Sequence, residues 1–459
     1  MFCKTISLMS ATLIFLMTTI GISWGSQTDT MKTTEFKLEN GLKLIVREDH
    51  RAPVIVTQIW YKVGSADEVI GLTGLSHALE HMMFQGTKKF TGDEFAELIS
   101  KNGGHDNAFT GTDYTAYYEE MSADKLALTF ELEADRMLGL QMDEQAFKNE
   151  MQVIKEERRM RTDDKPRSVT YERFMAAANI AGPYHHPIIG WMEDIENYRL
   201  DDLKAWYERY YCPNNATLVV VGAVNSNEVY ELAKKHFSSI PQRPIQPAYV
   251  RQEIPSLGEK RIKVHKEKTL PYLMMGFNVP SFMTAKDKTE SYALLVLSGI
   301  LDGGESARFA KRLVREQEMV TAASAYYELY KRFDSQFMLT AIPTAKTNLN
   351  QIESAFWKEI ESLKTTPLSE NELNKVKAQV IAHQIYDKDS VSEQAISIGL
   401  LETIGASWHE MDNLVKQIES LTAEDVQKVA NKYFIPERLT VAELIPIQSL
   451  NKKEASHAN

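Results

Sequence analysis

Apolar and polar positions follow one recognisable order twice along this chain. LDDLKAWYERYYCPNNATLVVV, from Leu200, and AEDVQKVANKYFIPERLTVAEL, from Ala423, each read as an amphipathic helix, a turn at proline and a buried strand. At one common offset Asp202 matches Asp425, Tyr210 matches Tyr433, Pro213 matches Pro436 and Thr217 matches Thr440. A second echo pairs LKLIVREDHRAP (residues 42–53) with KRIKVHKEKTLP (260–271), and YKVGS (61–65) resembles FNVPS (277–281). Each half runs from strands, through helices, to a helix–strand finish. This predicts an α+β fold used twice, each copy an antiparallel-rich sheet with helices packed on it. PQRPIQPAYVRQEIPSLGE (241–259), with four prolines, predicts an extended linker. The expected division is an N-terminal domain over 26–240, a C-terminal domain over 260–450 and a polar tail over 451–459.

The first residues follow a different pattern. Met1 to Lys4 is short and positive, Ser7 to Trp24 is mostly apolar, and the small residues Ser23 and Gly25 suit a cleavage site. Residues 1–25 therefore read as a secretory signal peptide, with an uncleaved membrane anchor as the alternative. Cleavage would remove Cys3 and leave Cys212 alone, excluding an intramolecular disulfide in an exported protein. No other segment is apolar and long enough to span a membrane, so no stable insertion is expected after cleavage. With 459 residues, 43% hydrophobic and 25% charged, the composition is that of a soluble two-domain protein. A net charge of −11 argues against nucleic acid as a partner.

The candidate chemistry lies in GLTGLSHALEHMMFQG. Over residues 73–85 Leu75, Leu79 and Met82 form one apolar stripe at helical spacing, and His77 and His81 project from the opposite side. Two histidines four residues apart lie about 40° from each other around a helix, so both imidazoles can reach one metal ion. Glu80 stands beside them, where it can hold a water. His-x-x-Glu-His is the inverted form of the common zinc-protease order. In the second half the corresponding stretch, LLVLSGILDGG, contains no histidine.

A further helix is predicted over DEQAFKNEMQVIKEERRMR (143–161), with Phe147, Met151 and Ile154 as its apolar stripe. Glu150 and Glu157 fall at the edge of that stripe, whereas Glu156 points away as a solvated charge. A carboxylate at a buried margin needs a partner. For Glu157 that partner is either a metal shared with His77 and His81 or one of Arg158, Arg159 and Arg161.

With these residues in view, the chain resembles the pitrilysin/insulysin and mitochondrial-processing-peptidase family of zinc metallopeptidases over essentially its whole mature length. That family follows His-x-x-Glu-His with a glutamate ligand about 76 residues later and another glutamate seven residues before it. Glu157 and Glu150 stand at those places. The resemblance implies one Zn2+ per chain held by His77, His81 and Glu157, with an open position for water. It implies a zinc metalloendopeptidase acting on peptides or unfolded polypeptides, with Glu80 as general base and Glu150 supporting catalysis by orienting His81 or Glu157. It also implies that the two domains form half of a clam-shell chamber, and a periplasmic location for an exported relative of this length.

GGHDNAFTGTDYTAYYEEM (103–121) predicts paired strands after two glycines. An exposed strand there can take up an extended peptide by strand addition, and the resemblance implicates Asn107, Ala108 and Phe109 in substrate binding. His185 and His186, in PYHHPIIGW, are read as stabilising a loop.

The second half departs from the family pattern. Relatives carry an arginine and a tyrosine there that hold the substrate carbonyl. Here VREQEMVTAASAYY places Thr321 where the tyrosine is expected; Arg315 has no clear claim to the arginine role, and Tyr326 and Tyr327 come several residues late. The resemblance therefore implies a heterodimer in which a paralogous subunit supplies the Arg–Tyr pair, with a homodimer second. A noncatalytic peptide-binding or assembly subunit is the alternative function.

Overall fold

The computed structural model describes residues 31–245 and 252–447. The predicted signal peptide, residues 246–251 of the linker and the polar tail lie outside the described residues.

The first half builds one mixed sheet from β1 (Lys32–Lys37), β2 (Lys43–Glu48), β3 (Val54–Tyr61), β4 (His105–Thr110), β5 (Thr115–Ser122) and β6 (Ala216–Gly222). Its order is β1-β2-β6-β3-β5-β4, antiparallel except where β2 runs parallel to β6. The second half builds another from β7 (Lys260–Glu267), β8 (Tyr272–Val279), β9 (Val320–Tyr327), β10 (Ser335–Pro343) and β11 (Leu439–Ile447), in the order β7-β11-β8-β10-β9. Again a single pair, β7 with β11, is parallel. Without β1 the two orders are the same, and the repeated sequence pairs fall on equivalent strands. β2 and β7 carry the 42–53 and 260–271 echo. β6 and β11 follow the helices Leu200–Tyr210 and Ala423–Tyr433 after short turns at Pro213 and Pro436. Thr217 and Thr440 are both fully buried on those strands.

Each half lends a helix to the other's sheet. Helix Pro166–Ala178 packs on β7, β8 and β11, placing Phe174 and Ala178 among Met274, Met338 and Ala442. Helix Val391–Ile404 packs on β3 and β6, placing Ala395, Ile398 and Leu401 against Val56, Trp60 and Val219. Two glycines permit the close approach. A β-carbon on Gly399 would stand 2.0 Å from the Trp60 indole, and one on Gly276 would stand 2.4 Å from the Phe174 ring. Exchange of helices locks the halves together, and it leaves the other face of the first sheet to carry the site. Among the described residues no helix is long and apolar enough to cross a membrane.

Candidate metal centre

Helix Leu75–Met82 carries the inverted motif. Leu75, Leu79 and Met82 are buried in the first core, so the helix is anchored by the predicted stripe. Its start is set by Gly74, at φ 90°, where a β-carbon would meet the Ile189 carbonyl at 2.4 Å. The buried carboxylate of Glu68 accepts the N–H groups of Gly74 (2.5 Å) and Ser76 (2.8 Å), satisfying donors that a helix N-terminus leaves free. His186 accompanies it, 3.4 Å from Glu68 and 2.7 Å from the Ser65 carbonyl. His185 lies 3.0 Å from the Gly182 carbonyl. Both histidines hold loops outside the metal cluster.

The second helix spans Glu144–Arg158, capped by Asp143, with Phe147, Met151 and Ile154 buried. It brings Glu157 Oε2 to 3.2 Å from His81 Nε2 and 3.5 Å from His77 Nε2. Potential ligand atoms of these three residues lie within 4.8 Å of one another, the only such group among the described residues. Glu157 Oε2 is buried with no hydrogen-bond partner, so two imidazoles and a carboxylate oxygen converge on a point none of them fills. His, His and carboxylate is a donor set that zinc accepts, with a fourth position left over. The residues present therefore fit the metal. The arginine alternative is also realised: Arg161 Nε holds the other oxygen, Oε1, at 3.0 Å. One carboxylate serves both partners. Glu156 pairs with Arg159 and is exposed, as expected of a solvated charge.

Around this point the remaining residues divide the work. His81 Nδ1 lies 3.2 Å from Glu150 Oε2, and Gln85 Nε2 donates to Glu150 Oε1 at 2.8 Å. Burial pulls the His81 imidazolium down, but the neighbouring carboxylates of Glu150 and Glu157 outweigh it and raise the pKa to about 9. His77 lacks such a neighbour at Nδ1, and burial pushes it down to about 4. Glu80 accepts a hydrogen bond from the Thr110 hydroxyl; burial holds its carboxyl above the usual range despite that bond.

These groups line a cavity of about 1300 Å³ that also touches β4, the edge strand of the sheet. Asn107, Ala108 and Phe109 lie on its wall. Asn107 is exposed, whereas the Phe109 ring packs against Trp60 and Tyr114 at centroid distances of 5.3 and 5.9 Å. Thr321 is exposed on β9 and Arg315 pairs with Glu305 at 2.8 Å; neither reaches the cavity. No local pattern singles out Thr110, Glu68 or Lys331. Gln85 was findable, because it stands one helical turn beyond His81.

Residues 43–190 match the model of the insulinase family, peptidase family M16, and residues 197–380 match that of the peptidase M16 inactive domain. The zinc protease PqqE of Helicobacter pylori is 33% identical over 94% of this chain and 97% of its own length.

The chain belongs to peptidase family M16.

A crystal structure of a protease from Helicobacter pylori superposes with a TM-score of 0.86 at 33% identity, covering 91% of this chain and all of that one. A peptidase M16 inactive domain from Pseudomonas fluorescens superposes at 0.81 with 16% identity, covering 91% and 99%, and so shares the fold. The M16 assignment agrees with the family resemblance read from the motif and with the two-domain α+β fold. Its two matches divide the chain as the histidines do, a peptidase half followed by one called inactive.

Proposed function

We propose that this M16 protein is a zinc-dependent endopeptidase acting on peptides or unfolded polypeptides, with one zinc per chain held by His77, His81 and Glu157. The observation that carries this reading is the convergence of His77 Nε2, His81 Nε2 and Glu157 Oε2 at the wall of a large cavity, with Glu80 beside them. Bound there, zinc supplies Lewis acidity, polarising a peptide carbonyl and making a water acidic enough to act near neutral pH. Glu80 takes the proton of that water and returns it to the leaving amine. Its raised affinity for protons, caused by burial, suits both transfers. Glu150 fixes the His81 ring through Nδ1 and leaves Nε2 facing Glu157. The edge of β4 receives the peptide backbone, with Asn107, Ala108 and Phe109 as the contact strand.

Among the described residues no arginine or tyrosine of the second half lines the cavity, which supports action as the zinc-bearing subunit of a heterodimer, with a homodimer second. Export rests on the predicted leader, and the periplasm on the leader together with the family resemblance. The test uses the purified mature chain, with zinc content measured alongside hydrolysis of an unfolded polypeptide. Stoichiometric zinc with hydrolysis, alone or on adding a paralogous subunit, is the expected result. A chain that binds peptide but no zinc would be the noncatalytic subunit instead.

A further inference from the structure

Among the described residues one side chain from the second half reaches the cavity: Lys331, from the loop joining β9 and β10. That loop is fastened to the first half next to the site. Arg332 donates to Asp67 at 3.0 Å and stands 3.3 Å from Asp113, and its backbone N–H donates to Asp113 at 3.2 Å. The Phe333 N–H donates to the Tyr184 hydroxyl at 3.1 Å, which in turn donates to Asp113 at 2.7 Å. With its neighbours held in this way, Lys331 has a fixed position. Its ammonium lies 4.6 Å from the centre of the Tyr184 ring, 3.4 Å from the Thr112 hydroxyl and 2.7 Å from Glu328. The side chain is 16% exposed, whereas that of Glu328 is 58% exposed.

The charges on the cavity wall are unevenly distributed. Glu80, Glu150, Glu156 and Glu157 gather at the histidine end with Arg161, Glu172 is paired with Arg158 at 2.9 Å, and Lys331 is the cation at the second-half wall. Thr110, which holds Glu80, is two residues from Thr112, which meets Lys331. Thr112 lies in the bend between β4 and β5, and two residues of chain span at most roughly 7 Å. A peptide lying along β4 with its cleaved bond at Glu80 therefore brings a side chain two or three positions away to Lys331.

The geometry points to Lys331 as the specificity-determining residue by which the second half reads the substrate, binding a peptide carboxylate near the cleaved bond. The inference rests on the peptidase reading. A substrate carboxylate replaces exposed Glu328 as the partner of the ammonium, which keeps its Tyr184 and Thr112 contacts. A half-buried charge exchanged for another of the same sign needs no new desolvation of the lysine. An acidic side chain and a free C-terminus share this chemistry.

The test measures fluorescence anisotropy of labelled extended peptides on the zinc-loaded chain. Matched pairs carry Asp or Asn at each position within three residues of the centre, and free or amidated C-termini. Wild type is expected to bind one Asp or free-acid peptide at least fivefold tighter than its neutral match. Lys331→Met removes that preference, Lys331→Arg restores it and Lys331→Glu reverses it, while Glu328→Gln strengthens it. Position dependence assigns the carboxylate to a side chain, and an amide effect assigns it to the C-terminus. Equal binding of every pair by wild type, or an unchanged preference in Lys331→Met at an unchanged melting temperature, overturns the inference. Hydrolysis of the neutral peptides by wild type, alone and with the paralogous subunit added, is scored separately: its absence in both removes the peptidase reading, and the binding ratios still decide Lys331.

Discussion

His81 and Glu150 meet across two helices, Nδ1 to Oε2 at 3.2 Å, and this contact aims the opposite ring nitrogen at Glu157. Gln85 holds the other Glu150 oxygen, so the carboxylate is itself fixed. On the proposed reading Glu150 acts on the metal only through His81. Glu150→Gln should therefore weaken zinc binding about 10- to 100-fold, the usual cost of losing such a support. Competition with a calibrated zinc chelator checks it. Unchanged affinity would mean that packing alone orients the imidazole.

Gly399 tests the joint between the halves. In an exposed helix alanine would be preferred to glycine by up to about 1 kcal/mol. Here the added carbon would stand 2.0 Å from the Trp60 ring, and overpacking of that kind costs about 1–3 kcal/mol. The clash should win. Gly399→Ala is expected to lower the urea midpoint and to change Trp60 fluorescence; a raised midpoint would show that the helix shifts without cost.

How much of this was legible in the sequence follows from distance along the chain. His77, Glu80 and His81 share one helix and Glu150 and Glu157 another, so helical periodicity placed each group on one side of its helix. The repeat around Pro213 and Pro436 survived because the helix, turn and strand are local. Glu157 could be joined to the histidines only through family resemblance, since spacing left Arg158, Arg159 and Arg161 eligible, and the structure gives it both the histidines and Arg161. Exchange of helices left no local trace: VSEQAISIGLLETI carries apolar residues on every side, which hides the face that meets Trp60. Lys331 belongs to a loop whose neighbours, Thr112 and Tyr184, come from the other half.

Asp49 should make stability depend on acidity. Hydrogen bonds from Arg51 lower its carboxyl from 3.8 to about 2, with Gln394 of the second half donating at 3.1 Å. A group depressed on folding stabilises above its unfolded pKa and loses that contribution as pH falls through its folded value. The window is therefore pH 4 down to 2. Asp49→Asn should flatten the fall in melting temperature across that window relative to the parent. The same slope in both proteins would assign the acid sensitivity to other carboxylates.

Glu80 and Thr110 separate chemistry from metal binding. Glu80 is not among the convergent ligand atoms, so Glu80→Gln should keep stoichiometric zinc while hydrolysis falls by about 10²–10⁴, the range for loss of a general base. Thr110 touches Glu80 through its hydroxyl and the peptide path through its place at the end of β4. Thr110→Val keeps the shape and removes the hydrogen bond, leaving the Glu80 carboxylate free to turn. About 1.4 kcal/mol, the net worth of one such bond, corresponds to a tenfold fall in kcat. Because the backbone of β4 is untouched, KM should move little. Metal analysis and steady-state kinetics on both variants check this pair. Zinc loss in Glu80→Gln would make Glu80 a ligand, and a KM effect in Thr110→Val would place its hydroxyl on the substrate.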